Sequence, residues 1–395
     1  DKPSIMTGHH LTSKLIEEPL EYLKNLNKIS VFNYNTRAIV VKTYIAFIIV
    51  ILLFTLILMV YFKEYVKWMK PLLIAVLIVP TALLILPLFN PWNTIKFVFC
   101  LIMTVTAYSV GIFYLLKDNM KIFVSSCLLS TGIILVDTFL SNPLMRVSVL
   151  GYDPIIGARF YGIGNEYMGY LLGTTLIGTA ALIDMYRGKA SLPKLVSIGI
   201  YAVVLITLML PILGTNVGGT MAAFLGFGAA TLLHLKGNIS KKDLIVLCCL
   251  LLIFLFALFV YDSLRPSERQ SHIGQTSSLI RQNSIFALFQ IFARKLATNY
   301  KLVRYSTWTL VLIATMVTLA VLFRWPVGIL KKIFRKHNYL YFGFISGIIG
   351  TVAAFVFNDS GVVAAAMAMI PITVSLIMMC IDEDLQTSLS TDKNN

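Results

Sequence analysis

Charge is what this sequence is short of. Only 13% of its 395 residues are charged, against 58% hydrophobic, and a soluble domain carries about a quarter charged residues. The apolar residues come in long runs, which excludes an ordinary water-soluble globule. Cysteine is also scarce. Cys100, Cys127, Cys248, Cys249 and Cys380 all fall inside apolar runs, where thiols behave as small buried hydrophobes, so neither a disulfide nor a metal site is expected. The five histidines are scattered; apart from the adjacent His9 and His10, none stands at metal-ligand spacing from another His or a Cys. No strand precedes the glycine-rich stretch around Gly162 and Gly164, so it is not a dinucleotide motif, and no cofactor is expected. No signal peptide is visible, and a chain opening on Asp1 rather than Met reads as a processed or truncated product.

The apolar runs predict an all-α fold, a polytopic transmembrane helical bundle of about 11 spans. They lie near 43–62, 71–89, 95–115, 120–140, 165–186, 195–213, 218–235, 243–262, 307–325, 339–357 and 361–381. The second holds Pro71, Pro80 and Pro87; membrane helices tolerate proline, and a re-entrant segment is the alternative. Lysine and arginine mark one set of loops as cytoplasmic: Lys63, Lys67 and Lys70; Lys117 and Lys121; Arg187, Lys189 and Lys194; Lys236, Lys241 and Lys242; Arg324, Lys331, Lys332, Arg335 and Lys336. The alternate short loops carry only Lys96, Arg146 and Arg159. This places the N-terminus outside and the acidic C-terminus inside. Two basic stretches oppose that choice: the first 42 residues and the loop 263–306. The division is then 1–42, an extracytoplasmic segment; 43–382, the transmembrane domain; and 383–395, a cytoplasmic tail. The net charge of +15 fits span ends held against anionic headgroups and needs no nucleic acid.

Within 263–306, Ile285, Leu288, Phe289, Phe292 and Leu296 follow helical spacing, with Arg281, Arg294 and Lys295 largely off that face. This predicts an amphipathic helix lying in the membrane interface, either as a plain surface anchor or as a collector of an anionic lipid-linked substrate. His234, at a cytoplasmic helix end, reads as an ordinary interfacial residue.

The chemistry gathers on the outer side. The stretch from Ser141 to Gly173 joins two spans and holds Asp153, Arg159, Asn165 and Glu166 among glycines and tyrosines. A helix starting after Gly164 would offer unpaired N–H groups and a partial positive charge to an anion, and Arg159 could add a bidentate contact. Two short turns, from Gly214 to Thr220 with Asn216, and from Phe357 to Gly361 with Asn358 and Asp359, join spans almost without a linker. Polar hairpins at membrane depth survive only when buried in protein or lining a wet cavity. Asp137 lies at the outer end of its own span. These residues are expected to converge on one extracytoplasmic pocket, with Glu166 and Asp359 as catalytic groups and Arg159, Gly164, Asn165, Asn216, Asn358, Asp137 and Asp153 as substrate-binding groups; no metal is included. The structural alternative is an ordered loop in which Glu166 pairs with Arg159, and two capped helical hairpins.

Pro3, Met6, Gly8 and Leu11 in the opening eleven residues resemble the tail of an alkaline-phosphatase-superfamily domain, the group of sulfatase-like hydrolases and phosphoglycerate mutases. The resemblance implies an upstream extracytoplasmic domain, but none of that superfamily's metal ligands or its nucleophile is in this chain. The remainder, with GARFYGIGNEYMG and FNDSG, is similar to uncharacterised bacterial multi-span proteins, and its architecture resembles lipid-linked glycan ligases. The expected function is that of a bacterial cell-envelope protein of the plasma membrane. It would hold or act on a phosphate-bearing or lipid-linked substrate, with a hydrolase or transferase domain as partner. An ion-coupled secondary transporter and a non-catalytic membrane anchor or scaffold are the alternatives.

Overall fold

A computed structural model describes residue 15 and residues 17–157, 159–189, 191–263, 286–324 and 328–392. Pro3, Met6, Gly8, Leu11, Arg281 and Ile285 lie outside the described residues. The described residues form an all-α bundle of thirteen helices: α1 Pro19–Tyr61, α2 Lys70–Ile85, α3 Thr94–Leu115, α4 Asn119–Phe139, α5 Asn165–Met185, α6 Ser191–Met209, α7 Val217–Lys236, α8 Lys241–Ser263, α9 Phe286–Tyr305, α10 Trp308–Arg324, α11 Ile329–Lys336, α12 Asn338–Phe357 and α13 Gly361–Asp392. The only strand-like feature among them is one isolated bridge, Asp153 with Arg159.

Nine helical segments among the described residues are long and apolar enough to cross a membrane. A tenth appears if Ala297–Tyr305 and Trp308–Arg324, bent by 82°, are taken together. The remaining apolar run, 243–262, lies on α8. No backbone break occurs at residue 43: α1 runs unbroken for 43 residues from Pro19.

The core is built around α5 and α13, whose apolar stretches are 89% and 100% buried, whereas α3 at the rim is 11% buried. Glycine explains how closely α5 and α13 approach. A Cβ on Gly169 would overlap the Ala364 carbonyl, and one on Gly173 would press on the Ala368 carbonyl and the Pro371 ring. Two glycines four apart thus lie against two alanines four apart, a pairing by which membrane helices gain contact without a hydrophobic driving force.

The proline-bearing second run forms one helical segment, Lys63–Phe89. Pro80 has no N–H to give the Val76 carbonyl, and the Tyr44 hydroxyl donates to that oxygen at 2.8 Å. The neighbouring Leu77 carbonyl accepts Tyr170 Oη at 2.6 Å. Pro87 likewise supplies no N–H to its turn, and the Leu83 carbonyl accepts Ser148 Oγ at 2.9 Å. Backbone groups at membrane depth must be satisfied within the protein, and three hydroxyls do so here.

Contacts sort the connections into two ends. At the basic end Lys63 meets Asp384 at 3.0 Å and Lys70 meets Asp382. Arg187 donates to the Lys336 carbonyl and to Asn338 Oδ1, each at 2.7 Å, and Lys236 pairs with Asp243 at 2.6 Å. The opposite end holds the loop 141–164 and the turns near Asn216 and Asn358. The thiols divide as well. Cys127 and Cys380 are buried, but Cys248 and Cys249 are exposed. Most of α8 beyond its seam with α7 faces outward, since its residues are largely exposed.

Candidate functional site

Asp137 closes α4 by accepting the N–H groups of Leu144 (2.7 Å) and Met145 (3.1 Å), while its own carbonyl takes Asn142 N at 2.7 Å. Ser141 and Asn142 have φ of 70° and 60°, a left-handed turn that reverses the chain under this carboxylate. Asp137 is 2% exposed, so it shapes the loop from within. Asp153, also buried, does the same one turn later: its N–H donates to the Arg159 carbonyl at 3.0 Å and its Oδ1 accepts Ile156 N at 3.4 Å. Tyr152 donates to the Gly162 carbonyl at 2.8 Å. Burial pushes its phenol up to about 12, so it remains a donor at neutral pH.

Gly162 allows the next junction. Its φ is +64°, and a Cβ there would collide with the Gly214 carbonyl. Close approach lets Ile163 N donate to that same Gly214 oxygen at 2.7 Å. Asn216 completes the joint: Nδ2 donates to the Ile163 carbonyl at 3.0 Å and reaches Asn165 Oδ1 at 3.4 Å, while Oδ1 accepts Gly219 N at 2.8 Å and caps α7. Gly218 in turn lies against Asn358 Oδ1 and the Phe357 carbonyl. Asn358 Nδ2 donates to the Ala354 carbonyl at 2.9 Å.

Asn299 of α9, 3% exposed, fastens this last turn. It donates to the carbonyls of Phe355 (3.1 Å) and Asn358 (2.9 Å) and accepts Gly361 N at 2.8 Å. Hydrogen bonds join the loop 141–164 to the Asn216 turn and α9 to the Asn358 turn, and the two turns pack against each other at Gly218. Asn165, Asn216 and Asn358 belong to these joints, Asp137 and Asp153 brace the loop from inside, and Asp359 is exposed beside Asn358.

The charged group stands beside these joints. Glu166 does not pair with Arg159. Its partner is Arg37 of α1, which donates to Glu166 Oε1 at 3.1 Å and to the Gly151 carbonyl at 2.8 Å. Arg159 turns elsewhere: its Nη1 donates to the carbonyls of Ile163 (2.7 Å) and Tyr161 (3.3 Å), and its guanidinium lies 5.9 Å from the Tyr161 ring centre. Gly164 lies between the two chains; a Cβ on it would sit 3.5 Å from Glu166 Oε2 and 3.6 Å from Arg159 Cδ. Arg37 and Glu166 are 20% and 19% exposed, so this carboxylate and its arginine are reachable from the surface. Glu166 also lies in the first turn of α5, where a negative charge complements the helix dipole.

Sequence reasoning missed Arg37 and Asn299. Arg37 closes the mostly polar run from Asn33 to Arg37, four residues after Asn33, whose Nδ2 donates to the Val147 carbonyl at 2.9 Å; that i, i+4 polar pair was the available signal. It also missed a cleft of about 460 Å³ between α1 and the start of α3, lined by residues including Lys28, Trp92 and Lys96. A second cleft, of about 390 Å³, opens at the basic end beside Lys117, His337 and Glu383.

Comparison of the chain with protein families, with curated proteins and with solved structures finds no match. The fold by itself defines the class, a multi-pass helical membrane protein.

Proposed function

We propose that this protein is a cell-envelope membrane protein, bacterial by its Ile-, Lys- and Asn-rich composition. It holds or acts on a phosphate-bearing, lipid-linked substrate at the extracytoplasmic boundary. One observation carries the reading: Glu166 and Arg159 flank Gly164 where α5 begins, and the partly exposed Arg37 pairs with Glu166 at the loop end. Two guanidinium groups suit a phosphate diester, and the Glu166 carboxylate suits a substrate hydroxyl as hydrogen-bond acceptor or proton acceptor. Asp359, exposed on the adjoining turn, is the second candidate for proton transfer.

The orientation rests on the loop charges, with the N-terminus outside, the C-terminus inside and eleven crossings. Contacts support that count. Asp243 pairs with Lys236 at the start of α8 and Asn299 of α9 bonds the turn at the loop end, which supports a reading in which α8 traverses and α10 returns. Carboxylate depth favours this reading over an ion-coupled transporter. Such a transporter would need a carboxylate near the midplane. Glu166 and Asp359 both lie at the loop end, and the middle of α5 carries the hydroxyls of Tyr170, Thr174 and Thr175 instead. A hydrolase or transferase domain ahead of Asp1 would work on the same side.

The test is to purify the full chain from its own membranes and identify co-purifying lipids by mass spectrometry. Enrichment of a phosphate-bearing lipid that is lost in Arg37→Ala and Arg159→Ala supports the proposal. Equal lipid content in all three proteins refutes it. A membrane-impermeant maleimide applied to intact cells should label Phe160→Cys in a chain freed of its own five cysteines; labelling only after lysis would reverse the orientation.

A further inference from the structure

We infer that the cleft between α1 and α3 is a headgroup site for a lipid bearing a phosphate and hydroxyls, admitted sideways from the bilayer. This rests on the proposed extracytoplasmic binding of a phosphate-bearing lipid and adds a second headgroup site, separate from the charged group near Gly164.

The cleft's chemistry is one-sided. From α1 come Asn25, Lys28 and Ile29; from the segment entering α3 come Asn90, Trp92, Asn93 and Lys96. Two ammonium groups and three amides line it, with no carboxylate among the lining residues. The amides offer donors and acceptors to hydroxyls, and the lysines offer compact positive charge to a phosphate. The N-terminus of α3 does not supply the anion contact. Asn93 Oδ1 already accepts Ile95 N at 3.0 Å and Lys96 N at 3.4 Å, so the phosphate falls to Lys28 and Lys96. Trp92 is half-buried and gives an indole face or N–H at the level where amphipathic rings prefer to lie.

The walls are held apart by packing. Phe32 of α1 meets Trp92 at 6.1 Å between ring centres and Phe97 at 5.6 Å, which fixes the outer half of α1 against the start of α3. Asn90 adopts φ 47° and turns the chain into the cleft. Below the cleft, α3 is the least buried of the nine spans. Ile95, Phe99 and Ile102, spaced along one stripe, are 81%, 62% and 57% exposed. A head in the cleft would leave its acyl or prenyl tail along that stripe in the hydrocarbon. A soluble phosphate would make no use of the stripe.

The test uses the full chain in phosphatidylcholine nanodiscs. Phosphatidylglycerol is titrated into the discs and, separately, glycerol 3-phosphate into the buffer, with tryptophan fluorescence as the readout. Saturable binding of phosphatidylglycerol is expected. It should weaken on the order of tenfold in the double variant Lys28→Gln/Lys96→Gln, recover in Lys28→Arg/Lys96→Arg, and lose its fluorescence change in Trp92→Phe. Glycerol 3-phosphate should bind far more weakly; equal binding would overturn the lipid source. Unchanged phosphatidylglycerol binding in the glutamine variant overturns the cleft. If Arg159→Ala alone then weakens binding, the charged group near Gly164 stands without the cleft; if neither change matters, both proposals fall. Should the glutamine variant fail to reconstitute, a fluorescence change that persists in Trp92→Phe overturns the cleft by itself.

Discussion

Arg37 and Glu166 are 129 residues apart in the chain and 3.1 Å apart in the fold. The bond joins α1 to the first turn of α5, and the same guanidinium holds the Gly151 carbonyl at 2.8 Å. Removing the arginine leaves two acceptors without their donor in a site that is mostly shielded. Arg37→Ala should therefore cost about 1–3 kcal/mol. Glu166→Gln, which keeps an acceptor oxygen for Arg37, should cost less. Thermal unfolding in detergent gives both values, and an equal loss for the two would count against the ion pair as the organising contact.

The hydroxyls that replace missing proline N–H groups make a sharper prediction. Tyr44→Phe should destabilise by about 1–3 kcal/mol, because the Val76 carbonyl then has no donor at membrane depth. Pro80→Ala returns an N–H to that carbonyl. In the Pro80→Ala background, Tyr44→Phe should cost far less, and the double-mutant cycle should report a coupling of at least about 0.5 kcal/mol. Additive effects would show that the hydroxyl and the proline are independent.

Asn299 makes three hydrogen bonds to the turn between α12 and α13. Asn299→Ala should lose about 1–3 kcal/mol. Asn299→Asp should be at least as damaging, since a carboxylate cannot donate to the Phe355 and Asn358 carbonyls. Limited proteolysis between α12 and α13 should accelerate in both variants; a turn that resists cleavage as before would remove Asn299 from its role as fastener.

His337 lies just before α12, at the basic end, and its pKa is lowered chiefly by burial, then by Lys336 and Arg187. The folded protein therefore resists taking up a proton that the unfolded chain accepts below its ordinary 6.5. Stability from this residue is intact above that value and is lost as pH falls from there through the depressed folded pKa. His337→Asn removes the titration. It should flatten part of the fall in melting temperature between about pH 7 and about pH 5. An unchanged pH profile would assign that fall to other groups.

The helices were legible because apolar runs of membrane length admit few other readings, and the turns at Asn216 and Asn358 announced themselves as polar residues with no linker around them. The partners of these residues were not legible. Nothing in the sequence near Glu166 points to Arg37, since the nearer Arg159 was the natural candidate; what diverts Arg159 is the pair of carbonyls at Tyr161 and Ile163, a backbone property with no sequence signature. Asn299 was hidden in a stretch read only for its apolar face. Gly169 and Gly173 carried a readable four-residue spacing, but it takes the alanines of α13 to give that spacing a meaning. Lys96 was read as a loop charge and Lys28 only as part of a basic N-terminal segment, because only the packing of Phe32 brings them to one cleft.

Helix α5 carries Glu166 in its first turn and Asp184 in its last, and each is locked to a different neighbour, Asp184 Oδ2 accepting Leu340 N of α12 at 2.7 Å. At 1.5 Å per residue the two carboxylates are about 27 Å apart along one unbroken rod. α5 thus acts as a tie bar between the basic end of the bundle and its loop end. A tug on the first turn of α12 would be delivered along that one rod to the carboxylate at the other end.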